Sequence, residues 1–228
     1  MARRFAALIR HGDYHQRMGA PSAHQPFALT ERGAGQARAA AKTLTDMATA
    51  LGADIHPQID SSQMLRAWAT ADIMGATLQG DFSVSCHDAL AERSVGAAAN
   101  LRIEEIDEII AADPRCDPLP KNWKSDSHFC LPFQGAESLM QSGQRVAAHL
   151  TERLDSLPMR ETTIKAFVGH GAAFRHAAYH LGVLAFDDIA RLSMYHARPV
   201  VLECAADDTW HHVVGDWKVR GNAEPVLD

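Results

Sequence analysis

The sequence predicts an α/β protein: a single three-layer domain with a mostly parallel central sheet flanked by helices. Three observations predict it. Short apolar runs alternate with longer helix-patterned stretches, the order of strands joined by crossover helices. The runs at 5–9 and 163–168 are apolar or nearly so throughout, as strands covered on both faces are. A length of 228 residues with 46% hydrophobic content suits one domain with a sizeable core, spanning 1–228.

The elements follow in order. Residues 5–9 read as a buried, central strand closed by the turn Arg10-His11-Gly12-Asp13. Residues 13–28 hold Gly19, Pro21 and Pro26 and read as a loop. Thr30 and Glu31 open an Ala-rich helix to Leu51, with Gly52 as its C-cap and Gly33 and Gly35 weakening its first turn. Residues 58–60 form a short strand leading into Ser61-Ser62. A helix over 64–78 has Leu65, Trp68, Ala69 and Ile73 as its apolar side. Residues 82–86 alternate as a half-buried strand does, and Asn100 is placed to cap a helix through Ala112. Residues 113–135 carry Pro114, Pro118, Pro120, Pro132 and Gly135, and read as a Pro-rich insertion or lid without long regular structure. Residues 138–154 are helical, 163–168 a strand ending in Gly169-His170-Gly171, and 172–181 a helix stopped by Gly182. Residues 199–204 and 211–214 are two strands around an Asp207-Asp208 turn, an antiparallel pair.

Composition narrows function. Lys plus Arg is 22 against 28 Asp plus Glu, a formal charge of -6, so no broad basic face for nucleic acid is expected. No apolar run nears the ~20 residues that cross a bilayer, and the run after Arg3-Arg4 is too short for a signal-peptide core, so a cytoplasmic protein is expected. Cys86, Cys116, Cys130 and Cys204 are scattered, with no metal-ligand or disulfide spacing. No metal and no cofactor are expected.

The chemistry lies where two apolar strands each run into a histidine followed by glycine, at His11 and His170. Ligands collect at the carboxyl ends of parallel strands, so both can share one cleft. Arg10 beside His11, and Arg66 shortly after another strand end, suit the oxygens of a phosphate or carboxylate.

These residues resemble a known family. Arg10-His11-Gly12 is similar to the R-H-G motif of the histidine phosphatase superfamily, which includes phosphoglycerate mutases and many phosphatases. Leu29-Thr30-Glu31-Arg32-Gly33 resembles its L-T-x-x-G, Ser61 to Ala67 its S-S-x-x-x-R-A, continued by Thr70-Ala71. Leu90 to Gly96 fits L-x-E-x-x-x-G, Gly135 to Ser138 loosely fits G-E-S, and His170-Gly171 with Arg175 fits H-G-x-x-x-R. The matches run in family order along nearly the whole chain and imply a phosphoglycerate mutase-like fold.

The resemblance implies His11 as the nucleophile that takes the phosphoryl group. It implies Arg10, Arg66 and His170 as the phosphate pocket, and Glu92 as the acid for the leaving oxygen, with Asp88 or Asp13 as alternatives. The chemistry agrees: a neutral imidazole is nucleophilic near neutral pH. Two Arg and a protonated His stabilise transferring phosphoryl charge without a metal. A phosphate dianion beside Glu92 favours the acid form it needs. Arg93, Asp13, Lys121 and Lys124 are possible substrate contacts. Ser138 and Glu137 read as helix-capping residues, and Arg175 as either an ion-pair partner or a support behind the site.

The expected function is a phosphomonoesterase working through phosphohistidine on a phosphorylated small molecule or phosphoprotein. Glu92-Arg93 agrees with the mutases, while Asp13-Tyr14-His15-Gln16 departs from their pattern and resembles the phosphatase branch. A mutase, and a phospho-ligand binding module without turnover, are the alternatives. Ser193 to Pro199 departs from the N-x-S pattern common among the phosphatases, which leaves one pocket wall open.

Overall fold

The computed structural model describes residues 2–20, 24–158 and 160–221. Its central sheet contains β1 (Arg4–Arg10), β2 (Asp54–Ile55), β3 (Gln58–Ser61), β4 (Ser83–Cys86), β5 (Thr163–Gly169), β7 (Val200–Cys204) and β8 (Trp210–Val214). The strand order is β4-β3-β5-β1-β7-β8, with β2 paired to β5. β4, β3, β5 and β1 run parallel, whereas β7 is antiparallel to β1 and β8 to β7. The mostly parallel sheet and the antiparallel final pair are as the sequence predicts. A separate pair joins β6 (Leu192–Ser193) to β9 (Lys218–Val219).

Strand periodicity makes the layers. Phe5, Ala7 and Ile9 of β1 face α1 (Glu31–Leu51) and α2 (Leu65–Thr77), packing with Ala37, Leu44, Ala71 and Met74. Ala6 and Leu8 face the other way, toward α4 (Leu139–Asp155) and α5 (Gly171–His180), packing with Val146, Leu150 and Phe174. A strand covered on both faces needs an apolar side chain at every position, which is what residues 5–9 supply. Thr30 caps α1 by accepting from Gly33 N, Gly52 ends it at φ 60°, and Ser138 caps α4.

Several expectations are corrected. On α2 the buried face is Ala67, Thr70, Ala71 and Met74, while Leu65 and Trp68 are 41% and 40% exposed. The packed face is mostly small side chains, with Met74 the large apolar one turned in, while Leu65 and Trp68 are turned out. β4 is the sheet edge, and its burial does not alternate. Asn100 adopts φ 69° and does not cap α3 (Ile103–Ala112); Arg102 is the N-cap, its N–H bound by the Glu105 carboxylate. Glu137 is no cap either: it binds Arg145 and accepts from Ser94 N. β2, β6, β9 and the short α6 (Phe186–Arg191) were not anticipated, being too short to carry a periodic signal.

The 113–135 segment forms turns only. Trp123 and Leu131 from it nonetheless bury against Ile106, Ile110 and Val95 in a third apolar cluster.

Candidate active site

The site begins with strand register. β1 and β5 pair with Arg10 opposite Gly169, so the next residue on each strand is a histidine. His11 N donates to Gly169 O at 2.9 Å, and the His11 and His170 rings lie 5.2 Å apart. Gly12 is required by close approach, because a Cβ there would lie 2.6 Å from the Gly33 carbonyl oxygen. Gly33 in turn sits against the Asp13 carbonyl, so this glycine pair seats the start of α1 on the R-H-G turn. Thr70 of α2 holds the same turn from another side, accepting from Gly12 N at 3.0 Å.

Arg66, in the first turn of α2, is the hub. It is 1% exposed, and its guanidinium donates from Nε to His11 Nε2 (3.1 Å) and from Nη1 to Gln25 O (3.0 Å). Nη2 lies 3.2 Å from His170 Nδ1, and the guanidinium stacks 4.7 Å above the Tyr14 ring.

These contacts decide the tautomers. A guanidinium only donates, so the ring nitrogens facing Arg66 carry lone pairs. His11 Nδ1 lies 2.8 Å from the Gly12 carbonyl, which only accepts, so the proton is on Nδ1 and the lone pair on Nε2. His170 accepts at Nδ1 and donates from Nε2 to Ser62 Oγ at 3.0 Å. Among protein groups alone His170 is therefore neutral; the protonated form expected from sequence concerns the pocket with a phosphoryl group in it. Burial, then the charge of Arg66, holds both histidines far below the usual imidazole range. A phosphate dianion between them would act in the opposite direction.

Glu92 is 5% exposed and oriented by two backbone donors, Arg93 N at 2.9 Å and Ala172 N of α5 at 3.3 Å. Arg10 donates to Met194 O at 3.1 Å and lies along Gly171. Arg93 is 6% exposed, stacks 5.9 Å from the Trp123 ring, and its guanidinium makes no hydrogen bond to a described residue. Arg175 is buried and binds the carbonyl oxygens of Gly171, Ile189 and Leu192, tying α5 to α6.

Not every expected contact converges. Asp13 accepts from Thr30 Oγ1 at 2.8 Å, beside the α1 cap. Lys121 is exposed and pairs with no described residue. Lys124 lines a separate cavity of about 570 Å³ with Arg175, His176 and Phe186. Two further histidines were missed. His24, whose pKa is lowered by burial and by the charge of Arg66, lies near the site, and His196 donates to His11 O at 2.8 Å. His24 lies in a loop without periodic signal. The departure from N-x-S at His196 was the available clue.

Among the described residues, Asp60, His87 and His149 bring possible metal-ligand atoms within 4.8 Å. The Asp60 carboxylate already carries Lys165 at 2.8 Å and Arg153 at 2.8 Å, and two cations there oppose a third. This cluster is a buried ion network, and no cation is assigned to it.

The family model described as histidine phosphatase superfamily (branch 1) matches residues 6–216. The chain belongs to that superfamily. No curated protein sequence matches it. Among solved structures, mycobacterial glucosyl-3-phosphoglycerate phosphatase is 23% identical with a TM-score of 0.68, over 93% of this chain and 98% of that one. Alpha-ribazole phosphatase from Shigella flexneri is 18% identical with a TM-score of 0.70, over 96% and 100%. The structure called mycobacterial hydrolase 2 is 22% identical with a TM-score of 0.70, over 98% and 94%. These likenesses establish the histidine phosphatase fold expected from the motifs.

The neutral histidines of this superfamily member have a consequence for stability. His11, His170 and His176 all lie below their unfolded value, His176 at about 4, chiefly through burial. In the unfolded chain they titrate near ~6.5. As pH falls below that value the unfolded state gains protons that the folded state refuses. Stability is therefore full above it and lost toward the folded pKa values. The urea midpoint should be nearly level from pH 7.5 to about 6.5 and fall from there to pH 5, each group adding up to ~1.4 kcal/mol per pH unit. A flat midpoint across that range would contradict the neutral assignment.

Proposed function

We propose that the protein is a phosphomonoesterase acting through a phosphohistidine intermediate, with the pocket's own cations supplying the charge stabilisation. The observation that carries this reading is the His11 tautomer. Its Nε2 lone pair faces Arg66, the His170 ring lies beside it, and the charge of Glu92 acts on the same Arg66. On binding, Arg66 exchanges its bonds to the two histidines for phosphoryl oxygens, and Arg10 and His170, the latter once the dianion has drawn a proton onto its Nδ1, take others. His11 Nε2 attacks phosphorus in line, the ester P–O bond breaks, and Glu92 gives its proton to the departing oxygen. Water then attacks the phosphohistidine and gives its proton to the Glu92 carboxylate, and the P–N bond breaks to release phosphate and restore both His11 and the acid.

Two of the similar structures, a glucosyl-3-phosphoglycerate phosphatase and an alpha-ribazole phosphatase, are named for small molecules, which favours a small molecule over a phosphoprotein. Asp13, Lys121 and Lys124 are weaker candidates for substrate contact than Arg93, because none has its combination of burial and unused donors.

Arg93 also supports the second reading, a phosphoglycerate mutase. A mutase must hold a second acidic group and exclude water while the phosphoryl group moves, and a buried guanidinium beside Glu92 suits that. One such residue is thin support, so hydrolysis should dominate. The test supplies 3-phosphoglycerate with catalytic bisphosphoglycerate and follows free phosphate and the 2-isomer, alongside a panel of phosphorylated metabolites and phosphopeptides with chelator present. Phosphate release should exceed isomer formation. Rapid isomerisation with little phosphate would establish the mutase reading instead.

A further inference from the structure

We propose that His196 is a positioning residue for the nucleophile, acting through the backbone of His11 rather than on the substrate. The proposal rests on the phosphatase reading of the same site. β1 ends at Arg10, so the His11 carbonyl lies beyond the sheet's hydrogen-bond ladder. His196 supplies its donor. Nδ1 lies 2.8 Å from His11 O, and a carbonyl only accepts, so the proton is on Nδ1. The His196 ring also packs 5.5 Å from the His11 ring.

The neighbouring contacts make a clasp. Ala197 N donates to Arg10 O at 2.8 Å, while Arg10 Nη1 donates back to Met194 O at 3.1 Å. Ala197 sits at φ 49°, a left-handed conformation alanine rarely adopts, and its backbone thereby reaches Arg10 beside the imidazole's bond to His11. The segment that departs from the family pattern is thus the one that grips both residues of the R-H pair. In-line attack depends on Nε2 being held within a fraction of an ångström, and small misplacements can cost ~10²-fold.

Side-chain geometry supplies the test. The Asn amide nitrogen falls where imidazole Nδ1 does, and the Gln amide nitrogen where Nε2 does. With p-nitrophenyl phosphate, His196→Ala and His196→Gln should lower kcat by about 30-fold with KM changed less than about threefold. His196→Asn should stay within about threefold of the parent. Histidine ¹⁵N NMR provides a second readout that needs no turnover. The His11 ring and backbone resonances should keep their parent positions in His196→Asn and shift or broaden in His196→Ala. Full activity in all three variants, with the His11 resonances unmoved throughout, would overturn the proposal. So would retention by Gln with loss by Asn, which would transfer the role to Nε2. A parent inactive on every phosphate ester would fail the phosphatase reading, and the NMR comparison would still decide the positioning.

Discussion

His11→Ala is expected to abolish turnover of an aryl phosphate, by on the order of 10⁴–10⁶-fold, with the fold intact. The reason is particular to the pocket. Both rings turn a lone pair to the Arg66 guanidinium, but that of His11 is on Nε2, the ring nitrogen farther from the backbone, whereas that of His170 is on Nδ1, with Nε2 held by Ser62. His170 is thus committed as a partner of the pocket walls and is poorly placed to substitute. Labelled substrate quenched during turnover should leave acid-labile, base-stable phosphate on the parent and none on the variant. Near-parent turnover by a folded His11→Ala protein would show that the nucleophile lies elsewhere. Removing one imidazole beside Arg66 also relieves a packed, buried contact, so melting curves should accompany the kinetics.

Glu92→Gln is expected to separate substrates by leaving group. An alkoxide departs only with a proton, so alkyl phosphates should lose ~10²–10⁴-fold. An aryl oxide leaves with little protonation, and p-nitrophenyl phosphate should lose less than ~10-fold. Glutamine is close in shape, and because Arg93 N and Ala172 N bind different carboxylate oxygens its single amide oxygen keeps one of the two donors, the 2.9 Å bond from Arg93 N being the shorter. The substitution removes the proton and weakens one orienting bond. Equal losses on both substrate types would mean a binding role for Glu92 and return attention to Asp88 and Asp13. Asp13 is the weaker of these, because its carboxylate is occupied by the Thr30 hydroxyl at the α1 cap.

The α/β architecture, the family and the residues that meet in the pocket were legible in the sequence, because each left a local mark. Buried strands favour apolar runs: residues 5–9 form one without a break, and 163–168 is interrupted only by Thr163 and by Lys165, whose ammonium is paired with Asp60. A histidine directly after such a strand is placed by the strand itself, so His11 and His170 were found without coordinates. The face of α2 was misread because Leu65 and Trp68 are the largest apolar residues on the helix. Which side packs was decided by the close approach of α2 to the sheet, and that favours Ala67 and Ala71.

Protonation and support were decided only by tertiary structure. The lone pair on His11 Nε2, the neutral state of His170 and the carbonyl grip of His196 each depend on a partner far along the chain. Arg66 is 55 residues from His11 and 104 from His170, and His196 is 185 residues from His11. A hydrogen bond constrains donor and acceptor in space and leaves no periodicity between them in sequence. Strand burial repeats along the chain and can be read from it, whereas the charge state of a buried ring is set by whatever the fold brings against it.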